Sequence, residues 1–370
     1  MIYLDNAATT RYLPPEVLKA FIEECNRKSN PGRGGHNDSI NSALKIQKVR
    51  EIVCNYFNNK DGETVFTKNC TEALNLAILG SYNGGHIVTT VTEHNSVLRP
   101  LSYLENTKNV AISFARPDKS KRVTLDRIKG SIRIDTRLVI INAESNVTGT
   151  INDYEEICAY CAENGIRTIV DASQLAGHKR IDMRKIGCDM LCSSGHKGLY
   201  GLQGTGFLTF NGRVKIRPIL FGGTGTDSMK TTQPEYYPEG LEAGTLNTAG
   251  IVALGRSIEW VDGKTEKIGN DNMKNTEYLI AELKRIPDIK IYSEANPSGI
   301  VAFMLKGTDS TKISDYLNDR GIAVRGGLHC APLMHKYLGT ISTGLVRVSL
   351  GYDNTKRELQ KLITCMERLR

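Results

Sequence analysis

The stretch Met190-Leu-Cys-Ser-Ser-Gly-His-Lys197-Gly-Leu-Tyr-Gly-Leu-Gln-Gly-Thr-Gly206 sets one lysine among small residues directly after a short apolar run. A lysine in that setting is positioned rather than solvated. The flanking glycines let the backbone approach a bulky ligand, and Ser193, Ser194 and His196 supply short polar contacts that a surface lysine does not need. The chemistry that calls for such an amine is Schiff-base formation, because a desolvated lysine gives up its proton more readily and attacks a carbonyl. A glycine-rich loop with an incidental lysine would show the same letters, so the flanking chain has to decide.

Thr64-Val-Phe-Thr67, His86-Ile-Val-Thr-Thr-Val91, Arg137-Leu-Val-Ile-Ile-Asn142, Arg167-Thr-Ile-Val170 and Asp189-Met-Leu-Cys192 are short apolar runs that alternate with helical stretches. Strands alternating with helices build a largely parallel sheet, which binds ligands beyond the carboxyl ends of its strands. The polar groups after each run therefore converge on one edge. Asn69, Cys70 and Thr71 follow the first run, Glu93, His94 and Asn95 the second, and Glu144, Ser145 and Asn146 the third. Asp171, Ser173 and Gln174 follow the fourth, and Ser194, His196 and Lys197 the fifth. Any one of these alone would be a cap or a solvated loop residue; five sets on one edge make a site. The first set also opens a helix, whose free N–H groups and dipole suit a phosphate.

Farther out, Met1-Ile-Tyr-Leu-Asp-Asn-Ala-Ala-Thr-Thr10 is too rich in Asn, Thr and Ala for a frayed tail, and Pro14-Pro15 opens a helical pattern. Asn30-Pro-Gly-Arg-Gly-Gly-His36 is a glycine-rich loop, by itself a surface turn, and Glu242-Ala-Gly-Thr-Leu-Asn-Thr248 is a polar turn carrying Thr245. Near Pro287 the pattern shifts to short strands. The expected fold class is α/β, with a large domain over 15–260, a smaller α+β domain over 261–370, and 1–14 associated with the small domain. Within the small domain, Ile322-Ala-Val-Arg325-Gly-Gly-Leu-His329-Cys330-Ala-Pro332 puts a cysteine in a glycine-rich loop beside a histidine and an arginine. That setting exposes a thiol and lowers its pKa, although most cysteines are inert small hydrophobes. Arg347 lies in the middle of the apolar strand Gly344-Leu-Val-Arg-Val-Ser-Leu350. A charge there needs an anion, and a substrate carboxylate matches its planar fork.

The net charge of +8 is spread along 370 residues, which suits small anions and gives little reason to expect nucleic acid. No charged-then-apolar segment opens the chain and no apolar run could span a bilayer, so no membrane partner and a cytoplasmic location are expected. Nine cysteines then read as reduced thiols. Cys158 and Cys161 form a CxxC, but with Tyr154 and Ile157 they share one face of a helix expected to be capped by Asn152 and stopped by Gly165. They are core residues in that reading, and no metal is expected.

These motifs resemble the cysteine desulfurases of the class V group of pyridoxal-phosphate enzymes, which have fold type I. The resemblance covers nearly the whole chain and rests chiefly on Ser194-Gly-His-Lys197, Asp171-Ala-Ser-Gln174 and Arg325-Gly-Gly-Leu-His-Cys-Ala331. The last is similar to the motif of the second desulfurase group, which includes enzymes acting on selenocysteine. The resemblance implies that Lys197 holds pyridoxal 5'-phosphate, that Asp171 pairs with its ring nitrogen, that His94 stacks on the ring, and that Gln174 contacts its phenolic oxygen. It implies a phosphate held by Cys70, Thr71, Ser194 and His196, with Thr245 of a second subunit completing the site of a homodimer. Arg347 and Asn146 would grip the substrate carboxylate, with Arg325 and His36 near its thiol. Cys330 would take the sulfur of L-cysteine as a persulfide, releasing L-alanine.

Three positions depart from the family pattern: Cys70 where threonine is common, Leu328 where a polar residue is frequent, and Leu246 in place of a proline. Alternatives stay open at this point. They are a lyase acting on L-selenocysteine, another class V aminotransferase or lyase, a sulfur-trafficking subunit dependent on an acceptor protein, and a non-catalytic nucleotide-binding α/β protein.

Overall fold

Each of the five apolar runs becomes a strand, and two further strands join them. The computed structural model describes residues 1–27, 29–31 and 34–369, so Gly32 and Arg33 of the glycine-rich loop lie outside the described residues. The strands of the large sheet are β1 (Gly62–Thr67), β2 (His86–Thr90), β3 (Ile112–Ala115), β4 (Thr136–Asn142), β5 (Arg167–Asp171), β6 (Met190–Ser194) and β7 (Gly206–Asn211). Their spatial order is β1-β7-β6-β5-β4-β2-β3. Only β7 runs against the rest, pairing antiparallel with both β1 and β6. The carboxyl ends of β1, β2, β4, β5 and β6 therefore share one edge, as the sequence predicts.

The continuous apolar character of these runs follows from burial on both faces. Leu138 and Ile140 of β4 point into one core with Ile87, Ile169 and Met190, while Val139 and Ile141 point into the other with Val88, Val170 and Leu191. The helices Cys70–Ser81 and Asn95–Lys108 cover the first face, and Asn37–Tyr56, Tyr154–Glu163 and Thr248–Asp262 cover the second.

One local expectation changes. The cap of Tyr154–Glu163 is Asp153, not Asn152, and its side chain makes no capping bond. Asn152 is buried one residue earlier: its Oδ1 accepts from the Val123 N–H at 2.9 Å and its amide donates to the Asn142 carbonyl at 2.9 Å. A buried amide with partners on both sides is worth more there than at a solvated helix end. Cys158 and Cys161 are fully buried core residues.

The smaller sheet is antiparallel and runs in the order Arg325–Gly327, Leu345–Ser349, Ile300–Leu305, Ile289–Ile291. Residues Ile2–Tyr3 pair in parallel with Ile322–Ala323, and Leu4 is buried with Leu279, Val301 and Phe303. The amino-terminal arm thus starts in the small core and then crosses to the large sheet. The helix Thr265–Leu283 joins the two cores, with Ile268 in the large one and Leu279 and Leu283 in the small one. Among the described residues, no helix is long and apolar enough to cross a membrane.

Candidate active site

The turn after β6 brings Lys197 to the sheet edge because glycines let it pack closely. A Cβ on Gly198 would lie 2.3 Å from the Ala176 carbonyl oxygen, and one on Gly195 would lie 2.3 Å from Thr205 Oγ1. Gly206, where the quoted stretch ends, abuts the Asn69 backbone, so β7 seats the lysine turn against the helix that starts at Cys70. The Tyr200 N–H donates to the Lys197 carbonyl at 2.9 Å and closes the turn.

Lys197 opens into a cleft lined also by Cys70, Thr71, His94, Asp171, Gln174 and Ser194. Among the described residues no hydrogen bond or salt bridge holds its amine. Its pKa is lowered, chiefly by burial, with Asp171 pulling the other way. An amine so placed is closer to its neutral, nucleophilic form than a solvated lysine.

Around it the cleft carries donors without partners. Asn69 caps the helix Cys70–Ser81 by accepting from the Glu72 N–H at 3.0 Å, which leaves the N–H groups of Cys70 and Thr71 facing outward without partners among the described residues. The Ser194 hydroxyl is buried and unpaired. The Cys70 thiol donates to Asp171 Oδ1 at 3.6 Å, so its side chain is spent on that carboxylate and only its backbone faces an anion. Burial, then the Asp171 charge, pushes the Cys70 thiol pKa well up, which leaves it inert. Asp171 Oδ1 also accepts from the Ser173 N–H at 2.9 Å.

His94 caps the helix Asn95–Lys108. Its Nδ1 accepts from the Ser96 N–H at 3.1 Å, so the ring hydrogen sits on Nε2. Burial first, and then the Lys197 charge, lowers its pKa to about 4. The same two causes bring His196 to about 4. Both rings are neutral near pH 7, and each keeps one N–H to donate.

The amino-terminal arm forms the opposite wall. Thr9 Oγ1 lies 3.0 Å from His196 Nδ1, the Thr10 N–H donates to the His196 carbonyl at 2.8 Å, and Gln174 Nε2 donates to the Ala7 carbonyl at 3.2 Å. Arg347, 2% exposed, donates from Nη2 to Asp5 Oδ1 at 3.0 Å and from Nη1 to the Asn146 carbonyl at 2.9 Å. Its Nε is buried and unpaired. Arg325 stands directly opposite Arg347 on the neighbouring strand, and among the described residues its guanidinium has no hydrogen bond or salt bridge. Two arginines facing each other across a ladder repel unless an anion lies between them or beside them. Asp5 answers half of that demand, and it is a residue that sequence reasoning missed.

Cys330 is exposed on the loop leading into the helix Pro332–Leu338, with left-handed backbone at both His329 (φ 50°) and Cys330 (φ 56°). Two consecutive carbonyls tie this loop to the large domain. The His329 carbonyl accepts from Asn146 Nδ2 at 2.7 Å, and the Cys330 carbonyl accepts from the Asn95 N–H at 2.7 Å. The loop is therefore held against the residue next to His94. The histidine beside the cysteine has a different role from the one its sequence position suggests. His329 is buried, donates from Nε2 to the Arg325 carbonyl at 3.2 Å and stacks on His335. Burial holds its pKa well below the ordinary value, so it brings no charge to the thiol.

Two expected residues are not brought to this cleft within one chain. His36 caps the helix Asn37–Tyr56 through its Nδ1, which accepts from the Ser39 N–H at 3.3 Å. Thr245 is exposed on a separate groove with Thr67, Lys68 and Gly204.

The Aminotransferase class-V family model matches residues 2–362. A probable cysteine desulfurase of Methanothermobacter thermautotrophicus is 35% identical, covering 100% of this chain and 94% of that protein. A cysteine desulfurase of Serratia proteamaculans is 31% identical, covering 100% and 93%. Among solved structures, the apo cysteine desulfurase of Thermococcus onnurineus superposes with a TM-score of 0.88 at 32% identity, covering 100% of this chain and 94% of that one.

Proposed function

The chain belongs to the aminotransferase class-V family, and from that premise we propose that it is a pyridoxal-phosphate-dependent cysteine desulfurase. The observation that carries this reading is the pairing of an unbonded amine at Lys197 with an exposed thiol at Cys330, whose loop is bonded to the cleft wall. The residues present fit the cofactor. The buried, unpaired Ser194 hydroxyl and the free N–H groups of Cys70 and Thr71 suit its phosphate, Asp171 suits its ring nitrogen, and the neutral His94 ring suits its face. When bound, the cofactor supplies an electron sink next to the α-carbon of an amino acid.

The chain supplies the remaining chemistry. Arg347 binds the substrate carboxylate through donors that Asp5 and Asn146 hold in plane, and the lowered pKa of Lys197 lets its amine move the α-proton. Arg325 draws the thiol end toward the Cys330 loop. The Cys330 sulfur attacks the substrate sulfur, so that a sulfur–sulfur bond forms as the carbon–sulfur bond breaks. The β-carbon is reduced to the methyl of alanine while the two thiols become one persulfide, and the balance needs no outside oxidant.

The active form in this reading is a homodimer. Ile40, Leu44, Leu220 and Phe221 are exposed, and Ile40 and Leu44 line a groove adjoining the one that carries Thr245. A second copy covering them would bring its Thr245 to the phosphate and its His36 toward the thiol. We also assign 15–260 to the large domain and 261–370 to the small one with 1–14 attached, a cytoplasmic location consistent with nine free cysteines, and an acceptor protein for the persulfide exposed at Cys330. The test is incubation with L-cysteine and a reductant: alanine and sulfide should appear in equal amounts. Full sulfide release by Cys330→Ala would refute the nucleophile.

A further inference from the structure

Glu144 is an acid at the joint of the two domains, and among the described residues no cation is bonded to it. It follows β4 by two residues, is 2% exposed, and lines the same cleft as Lys197 and Gln174. One carboxyl oxygen, Oε1, is buried without a partner, and the other, Oε2, lies in hydrogen-bond contact with the hydroxyl of Ser298. Ser298 belongs to the turn that leads into the small-domain strand Ile300–Leu305.

The number of hydrogens available bears on the protonation state of this cluster. The Ser298 hydroxyl is also 3.0 Å from the Gln174 carbonyl oxygen, which can only accept. That carbonyl takes a second hydrogen bond from His178 Nδ1 at 2.9 Å, filling both its lone pairs. Ser298 has one hydrogen for two oxygen neighbours, and when the Gln174 carbonyl takes it the contact with Glu144 needs its proton from the acid. The surroundings agree. Lys179 is the charged group that acts on Glu144 by lowering its pKa, and its amine is bound to Glu155 at 2.8 Å. The titratable groups that share the cleft or the relay are Cys70, His94, His196, Lys197, Asp171 and His178; of these, Cys70, His94, His196 and His178 are kept neutral by burial. Burial likewise raises the Glu144 pKa to about 8.

We propose that Glu144 is a positioning residue that works as a neutral acid, donating to Ser298, which donates to Gln174, and so fixing the small-domain strands against the cleft wall. The strand that Ser298 leads into pairs Ala302 with Arg347, so the relay sets the distance between the carboxylate-binding arginine and Gln174. Gly299 tightens the joint: it has φ +74°, its carbonyl accepts from the Leu350 N–H at 3.0 Å, and a Cβ there would lie 2.8 Å from Leu350 Cβ.

The KM arm of the test rests on the proposed activity, and the other two arms do not. In an infrared difference spectrum of wild type minus Glu144→Gln near neutral pH, a protonated-carboxyl band is expected; an ionised-carboxylate band in its place overturns the proposal. Because the folded pKa lies above the unfolded one, stability falls as pH rises from about 4.5 to about 8. Between about pH 6 and about pH 9 the wild-type Tm should therefore drop by about 2–4 °C more than that of Glu144→Gln, whose amide donates at every pH. Equal slopes would refute the neutral acid. As pH passes through about 8, the ratio of wild-type to Glu144→Gln KM for L-cysteine should rise about three- to tenfold, and ionisation of the substrate thiol cancels in that ratio. Ser298→Ala should show the raised KM already at neutral pH, and an unchanged KM there would sink the relay.

Discussion

The turn at Lys197 and the loop at Cys330 hold the two reactive groups of one site in opposite ways. The amine sits on a turn that glycines lock by close backbone packing, at the end of a strand buried on both faces. The thiol sits on exposed left-handed backbone, tied to the large domain through carbonyls that Asn146 and Asn95 hold. A group that must give up its proton readily is built into the sheet, where burial lowers its pKa. A group that must receive sulfur and pass it on is left accessible and held by a few hydrogen bonds. The difference predicts which substitutions abolish chemistry and which only loosen it.

The largest effects should fall on the two groups themselves, with different signatures. Lys197→Ala should lose at least about a thousandfold in turnover and also lose the enzyme's visible absorbance. Cys330→Ala should lose sulfide release to a similar degree while keeping the absorbance. If both variants lost colour, the two regions would not be separable. Next comes Arg347, whose replacement by leucine removes the carboxylate's partner and leaves Asp5 unpaired. A loss of about 100-fold in kcat/KM, or about 3 kcal/mol, is expected. Arg347→Lys should lose less, about tenfold, because it keeps the charge and gives up the fork.

A smaller effect would sharpen the contrast. Asn146→Ala removes the amide that holds the His329 carbonyl, so the Cys330 loop should open more often. Alkylation of Cys330 by iodoacetamide should then quicken by about three- to tenfold, the equivalent of about one hydrogen bond. Lys197 should still bind cofactor in that variant. An unchanged alkylation rate would mean that the Asn95 contact alone fixes the loop.

Sequence reads these two regions unequally. The sheet edge was legible because a strand buried on both faces shows as an unbroken apolar run, and the polar residue after it has one place to go. Strand β3 was not, since Ile112–Ala115 is an edge strand with Phe114 exposed and only half the signature. Strand β7 was hidden because its Thr and Phe residues follow directly on a glycine-rich turn. The joint between domains was the least legible. Asp5 meets Arg347 across 342 residues and Glu144 meets Ser298 across 154, and no local periodicity encodes such pairs. The motif around Cys330 located the thiol, yet its neighbour His329 turned out to serve the small core.

The mildest prediction separates the two regions by acid. His94 and His196 belong to the amine's surroundings, and burial together with the Lys197 charge holds both near 4, below the ordinary value of 6.5. The unfolded chain therefore takes up protons on these rings between about pH 6.5 and about pH 4 that the folded chain refuses. The stability they contribute is present above the unfolded value and is lost as the pH falls toward 4. The Cys330 loop adds to the same trend through His329, which is also kept neutral by burial. Replacing His196 by asparagine should flatten the fall in Tm over that range by a few degrees, about 1–2 °C for each kcal/mol recovered in a chain of this length. An unchanged fall in Tm would mean that acid sensitivity does not come from the buried amine's setting.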